Sequence, residues 1–200
     1  MKHGSRKSKV RVTKERTVTM YADMWEGSTI LFRRAQQEAR GNYWVLMSVL
    51  LLTAFTFEAY LNHIGPQLFE SWSVLERLSP MDRLAIVCEK LGISFPPGER
   101  PRQSLVKLFQ FRNDLAHGKN ETLRTDEIRD NSDEVDSFLG ERPKTDWEKM
   151  ITWPRVTQLR EDVEEIIRKL HAAGAPHGDP VFLSGATSHS ATAKLETESA

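Results

Sequence analysis

Arg112, Asn113 and His117 are the residues of this sequence whose types and spacing could do chemistry. Imidazoles titrate near ~6.5 in unstructured peptides, so a histidine can take and return a proton at neutral pH. A guanidinium presents a planar fork of donors that matches phosphoryl oxygens. RNA carries its own nucleophile in the ribose 2′-hydroxyl. Cleaving it therefore requires removal of that proton, neutralisation of the phosphate and protonation of the departing 5′-oxygen. His117 suits the proton transfers and Arg112 the phosphate, while Asn113 either orients the histidine or substrate or caps the local turn.

Residues 105–118, LVKLFQFRNDLAHG, must position these three side chains. At 3.6 residues per turn, Leu105, Leu108, Phe109, Arg112 and Ala116 fall along one face with Leu115 at its edge, which predicts a helix packed on that stripe. Gly118 is suited to ending it. Arg112 stands where a leucine is expected, and an arginine there needs a partner or a polar cleft. Glu58, one turn before Asn62 in another apolar segment, is the carboxylate that needs such a cation. His117 follows Arg112 by five positions. That is about 140° around an ideal helix, so the two do not share a face. Either the helix ends before His117 or two copies pool their residues. Asp114 falls opposite the stripe beside Lys107, toward solvent, and His63 reads as a helix cap or surface residue.

Two hundred residues suit one domain with tails. Lys plus Arg and Asp plus Glu number 28 each, so net charge gives no case for wholesale coating of nucleic acid, although a local basic cleft is compatible with it. The single cysteine, Cys88, excludes a disulfide within one chain and a cysteine-based zinc cluster, and it fits a core position. The opening MKHGSRKSKVRVTKER has no apolar core of a secretory leader. The most apolar run, residues 44–57, is shorter than the ~20 residues that span a bilayer, so a soluble cytoplasmic protein is expected.

Residues 1–16 set seven cations against Glu15 alone, the pattern of a flexible solvated arm or one that touches phosphates without sequence preference. Met24, Ser28, Leu31, Ala35 and Ala39 predict a first amphipathic helix over 20–40. Asn42 is placed to cap the next helix, residues 43–64, which is apolar on almost every face and reads as the centre of a bundle closed by Gly65-Pro66. Residues 67–78 fit a short helix or a packed connection. Ser79 and Pro80 open a helix carrying Leu84, Val87, Cys88 and Leu91 and ending near Gly92. SFPPGERP is turn-like. Residues 121–149 hold ten acids and five bases and read as a long surface loop, with a helical turn near Ile128. Thr152 and Pro154 introduce a last helix packed on Val156, Leu159, Val163, Ile166 and Leu170, and the composition after Gly174 predicts a disordered tail. The expected fold is all-α, a four- to five-helix up-and-down bundle over 17–171, with tails at 1–16 and 172–200. A phosphate-binding glycine loop, a His-Glu-x-x-His zinc motif and a serine nucleophile elbow are all missing, and Glu58, Asn62 and His63 form no recognisable metal-ligand set.

The segment RNDLAH resembles the signature of the HEPN superfamily, helical domains named for higher eukaryotes and prokaryotes nucleotide-binding. LVKLFQF before it, Gly118 after it, and AFTFEAYLN at 54–62 are similar to that family's motif helix and its upstream glutamate-bearing helix. The resemblance covers about residues 20–170 and implies a HEPN-like bundle. It also implies a metal-independent ribonuclease site of Arg112, Asn113 and His117 supported by Glu58 and Asn62, with no cofactor. The same resemblance implies a homodimer whose motifs face a shared cleft, one His117 as base and its twin as acid, in a toxin or abortive-infection setting with an RNA substrate and a cognate antitoxin or regulator. Degenerate relatives instead suggest a noncatalytic module that binds RNA, nucleotide or a partner protein, and a helical scaffold or regulator is a third role. No aromatic residue is assigned to base stacking.

Overall fold

A computed structural model describes residues 10–16, 18–38, 42–124, 142–174 and 191–197. Among the described residues, helices α1 (Met20–Gln37), α2 (Asn42–Leu68), α3 (Trp72–Leu75), α4 (Pro80–Leu91), α5 (Arg102–Ala116) and α6 (Trp153–Gly174) form an all-α domain, with a 3-10 turn at Glu148–Met150. Helix α2 lies at the centre and packs against α1, α3, α4, α5 and α6. Val49, Leu50, Ala54, Phe57, Tyr60, Leu61 and Ile64 are fully enclosed, as a helix apolar on every face requires. By length and composition α2 could cross a membrane, and half of its most apolar window is buried inside the domain.

The sequence places α5 and α6 closely, and several details differ. Gly65-Pro66 does not close α2, which continues to Leu68. The reason lies in α3: a Cβ on Gly65 would come within 2.2 Å of the Trp72 ring, so the glycine admits a buried indole against the helix backbone. Asn42 is no acceptor for α2; its Nδ2 donates to the carbonyl of Ala35 at 2.8 Å and ties the end of α1 to the start of α2. The buried face of α1 is led by Tyr21, Trp25, Ser28 and Ala35, because the aromatic rings outweigh Met24 and Leu31, which are half-buried. Ala39 and the end of the expected first helix lie outside the described residues. On α5, Ala116 is exposed and Phe111 is fully buried, so the packed stripe runs through Leu105, Leu108 and Phe111 toward Leu115. Ser79 caps α4 by accepting from the Asp82 amide at 3.2 Å, and Gly92 ends it at φ 66°.

Within the flanking segments, read from sequence as a flexible arm and a disordered tail, two short stretches are extended. Strand β1 (Val10–Arg16) pairs antiparallel with β2 (Ala191–Thr197), with Val10 opposite Thr197 and Arg16 opposite Ala191. Both stretches carry a period of two, clearest where Ala191, Ala193 and Leu195 alternate with Thr192, Lys194 and Glu196. Charge in one and small residues in the other conceal it. Residues 1–9, 175–190 and 198–200 lie outside the described residues, as does the middle of the 121–149 loop with its expected turn near Ile128.

Candidate functional site

Helices α2, α4 and α5 meet in a polar cluster at the edge of the core. Arg112 on α5 donates through Nη2 to Glu58 Oε1 on α2. Both side chains are about one-fifth exposed, which keeps one flank of the pair open to solvent. The pairing is the one expected for a cation and a carboxylate that each stand on an apolar helix face. Phe109, one turn earlier on α5, lies 5.6 Å beneath the guanidinium and contributes a cation–π contact. Through Nη1, Arg112 also donates to Asn113 Oδ1 at 2.8 Å.

A second arginine joins this cluster, and it was not among the candidates read from the sequence. Arg83 on α4 is buried, donates through Nη1 to Asn62 Oδ1 at 2.7 Å, and brings Nη2 to 3.5 Å from the same Glu58 Oε1. Burial lowers its pKa and Arg112 adds to that, while Glu58 and Glu76 act in the opposite direction. The signal was present though weaker: Arg83 sits beside Leu84 and one turn before Val87, an arginine at the border of an apolar stripe. The Nε atoms of Arg83 and Arg112 are buried and find no acceptor among the described residues.

His117 occupies a different face. Helix α5 ends at Ala116 and His117 is its C-cap, at φ −116° and ψ 19°, with its amide donating to the Asn113 carbonyl at 2.9 Å. The helix therefore stops before His117, one of the two arrangements the spacing allows. Asn113 and His117, four positions apart, share one side. Together with Asp114, Lys119, Glu121 and Trp147 they line an open groove of about 420 Å³. Arg112 is not in the groove wall; Asn113 connects them, belonging to the groove while its Oδ1 accepts from Arg112. Of the residues singled out in sequence, Glu58, Asn62, Arg112 and Asn113 thus belong to one network, and His117 reaches it through Asn113. Asp114 is exposed as expected and stands on the groove rim.

His63 is not a cap, because α2 runs on beyond it; it is exposed, the surface position that was the other reading. Its ring packs 5.0 Å from that of Tyr21, and Gln67 Nε2 lies 3.4 Å from its Nε2. Cys88 is buried and its thiol is pushed up to about 11 by desolvation. Among the described residues no three His, Cys, Asp or Glu side chains are grouped to hold a metal ion. No family model, curated protein or solved structure matches the chain.

Proposed function

We propose that the protein is a metal-independent endoribonuclease of HEPN type, with His117 as general acid and base, Arg112 stabilising the phosphate, and Glu58 and Asn62 in support. The observation that carries this reading is the Asn113 link: its side chain accepts from the Arg112 guanidinium, and the residue lines the same groove as His117. An RNA phosphate seated over Asn113 would have a proton acceptor on one side and a cation on the other. The 2′-oxygen attacks phosphorus as His117 takes its proton, the P–O2′ bond forms and the P–O5′ bond breaks. The 5′-oxygen leaves with a proton from a second imidazolium, and a 2′,3′-cyclic phosphate remains. Arg112 meets the charge that builds on the phosphoryl oxygens.

The second imidazolium is the His117 of another copy in a homodimer. Supporting this, α2 exposes Trp44 (65 %) and Phe55 (42 %), and Phe55 stands three residues before Glu58, so an apolar surface runs up to the polar cluster. RNA is the substrate, a cognate antitoxin or regulatory protein is a further partner, and the setting is a cytoplasmic toxin or abortive-infection (phage-defence) system; these follow from the RNDLAH resemblance.

One observation favours a noncatalytic RNA-, nucleotide- or protein-binding module as the second reading: both terminal nitrogens of Arg112 already donate within the protein. Incubation of mixed RNA and tRNA with the purified chain in EDTA separates the two. Cleavage lowered about a hundredfold or more by His117→Ala and Arg112→Ala fits loss of proton-transfer and phosphate-binding groups. Folded variants that cleave like the wild type contradict the nuclease reading.

A further inference from the structure

Two guanidiniums share one carboxylate oxygen in this domain, and the charges do not balance. Arg83 and Arg112 bring two positive charges to the single negative charge of Glu58. Asn62, the other partner of Arg83, is neutral. Among the groups in direct contact the cluster thus holds two positive charges and one negative, with Glu76 acting on Arg83 from farther off, and two buried Nε–H groups lack acceptors among the described residues. Two guanidiniums on one carboxylate are each only partly neutralised, and where the site is partly open the remaining positive charge can be met by an anion. The surplus can be expressed only at Arg112, which is one-fifth exposed, whereas the Arg83 side chain is 6 % exposed and closed in by α2 and α4.

We propose that Arg83 is a positioning residue for phosphodiester binding: by holding Glu58 Oε1 and Asn62 from the buried side, it leaves the Arg112 guanidinium free charge to bind an RNA phosphate. Glu58 alone would neutralise Arg112 and compete with the phosphate for its donors. With Arg83 sharing the same oxygen, Glu58 orients Arg112 without cancelling it. When the phosphate arrives, Glu58 keeps a partner, so neither carboxylate nor guanidinium is stranded. This inference rests on the ribonuclease reading, in that it needs Arg112 to meet RNA.

The test is binding of a single-stranded oligonucleotide made of 2′-O-methyl RNA, which has no 2′-hydroxyl nucleophile, measured by fluorescence anisotropy over a range of salt concentrations. The proteins compared are wild type, Arg112→Ala, Arg83→Met, Arg83→Lys and the double variant Arg83→Met with Glu58→Gln, each checked for a cooperative melt. Arg83→Met is expected to bind about tenfold more weakly, the scale of one charge-assisted contact. Its log-log salt slope should shrink by about 0.7, one effective phosphate contact on a single strand. Arg83→Lys, which keeps the charge, should stay near wild type. The double variant restores the surplus charge and should recover most of the affinity, an outcome that a merely structural Arg83 would not give. If Arg83→Met does not fold, the Lys and double variants carry the comparison. Weak binding by Arg112→Ala with normal binding by Arg83→Met overturns the role of Arg83 and leaves the ribonuclease reading standing, as does a double variant no better than Arg83→Met. Equal binding by wild type and Arg112→Ala overturns both.

Discussion

Arg83 and Arg112, carried by different helices, converge on the same oxygen of Glu58. One carboxylate on α2 therefore fastens α4 and α5 to the central helix. Removing it leaves two guanidiniums side by side with only the neutral Asn62 and Asn113 oxygens as partners. Glu58→Ala is expected to destabilise the domain by about 3 kcal/mol, the lower end for breaking a buried ion pair because one flank is open. At this domain size the melting temperature should fall by about 6–12 °C. Urea denaturation gives the figure, and a loss below about 0.5 kcal/mol, the range of ordinary surface substitutions, would show that the clasp does not hold the helices.

Gly65 poses a contest between propensity and packing. An alanine inside a helix is favoured over glycine by about 1 kcal/mol. Here its Cβ would lie 2.2–2.4 Å from three atoms of the Trp72 indole, which is buried and has little room to retreat. Overpacking of this kind costs about 3 kcal/mol, so Gly65→Ala should be net destabilising. A change in the near-ultraviolet circular dichroism of the tryptophans should accompany it. A more stable Gly65→Ala protein would mean that Trp72 does not sit against α2.

His63 links stability to pH. Partial desolvation where its ring meets Tyr21 and Tyr60 lowers its pKa, and His171 nearby adds to the effect. The folded chain therefore binds this proton less readily than the unfolded chain, whose histidine titrates near ~6.5. The contribution is intact above that value and is lost as pH falls through it toward the lower folded pKa. His63→Gln should flatten the stability profile as pH falls below about 6.5, the unfolded histidine's value. Parallel profiles for variant and wild type would assign the acid sensitivity elsewhere.

Cys88 is expected to be nearly inert. With its thiol pushed up to about 11 and its side chain enclosed, little thiolate exists at neutral pH. Alkylation by iodoacetamide at neutral pH should run roughly a hundredfold slower than for a free thiol and reach the ordinary rate in urea. Rapid labelling of the folded protein would contradict the core placement.

The parts of the fold legible in sequence are those set by one-dimensional periodicity. Val156, Leu159, Val163, Ile166 and Leu170 repeat at helical spacing and all are buried, and Ser79 with Pro80 starts a helix where capping rules put one. Glu58 and Arg112 could be paired because each is a charge stranded on an apolar face, a conflict that the other helps resolve. Arg83 escaped notice because it lies at the border of its stripe, where a long side chain normally reaches solvent. What encloses it is the crossing of α2 and α4, a tertiary fact. The continuation of α2 through Gly65-Pro66 escaped for the same reason: helix-breaking residues are overridden when a buried tryptophan needs the space. The pairing of β1 with β2 joins segments at opposite ends of the chain, and no local pattern announces such a partner. Within the candidate site, the RNDLAH order placed Arg112 and His117 on different faces. The role of Asn113 as the link between them depends on a rotamer.

The most direct measurement uses an RNA oligonucleotide whose cleavage site has been mapped, resynthesised with a single 2′-O-methyl group at the scissile nucleotide and treated with the full chain in EDTA. The unmodified strand should be cut to leave a 2′,3′-cyclic phosphate and a 5′-hydroxyl, the modified strand should resist, and His117→Ala should cut neither. Ends bearing a 3′-hydroxyl and a 5′-phosphate, or equal cleavage of the modified strand, would contradict attack by the 2′-oxygen and with it the role proposed for the Arg112, Asn113 and His117 site.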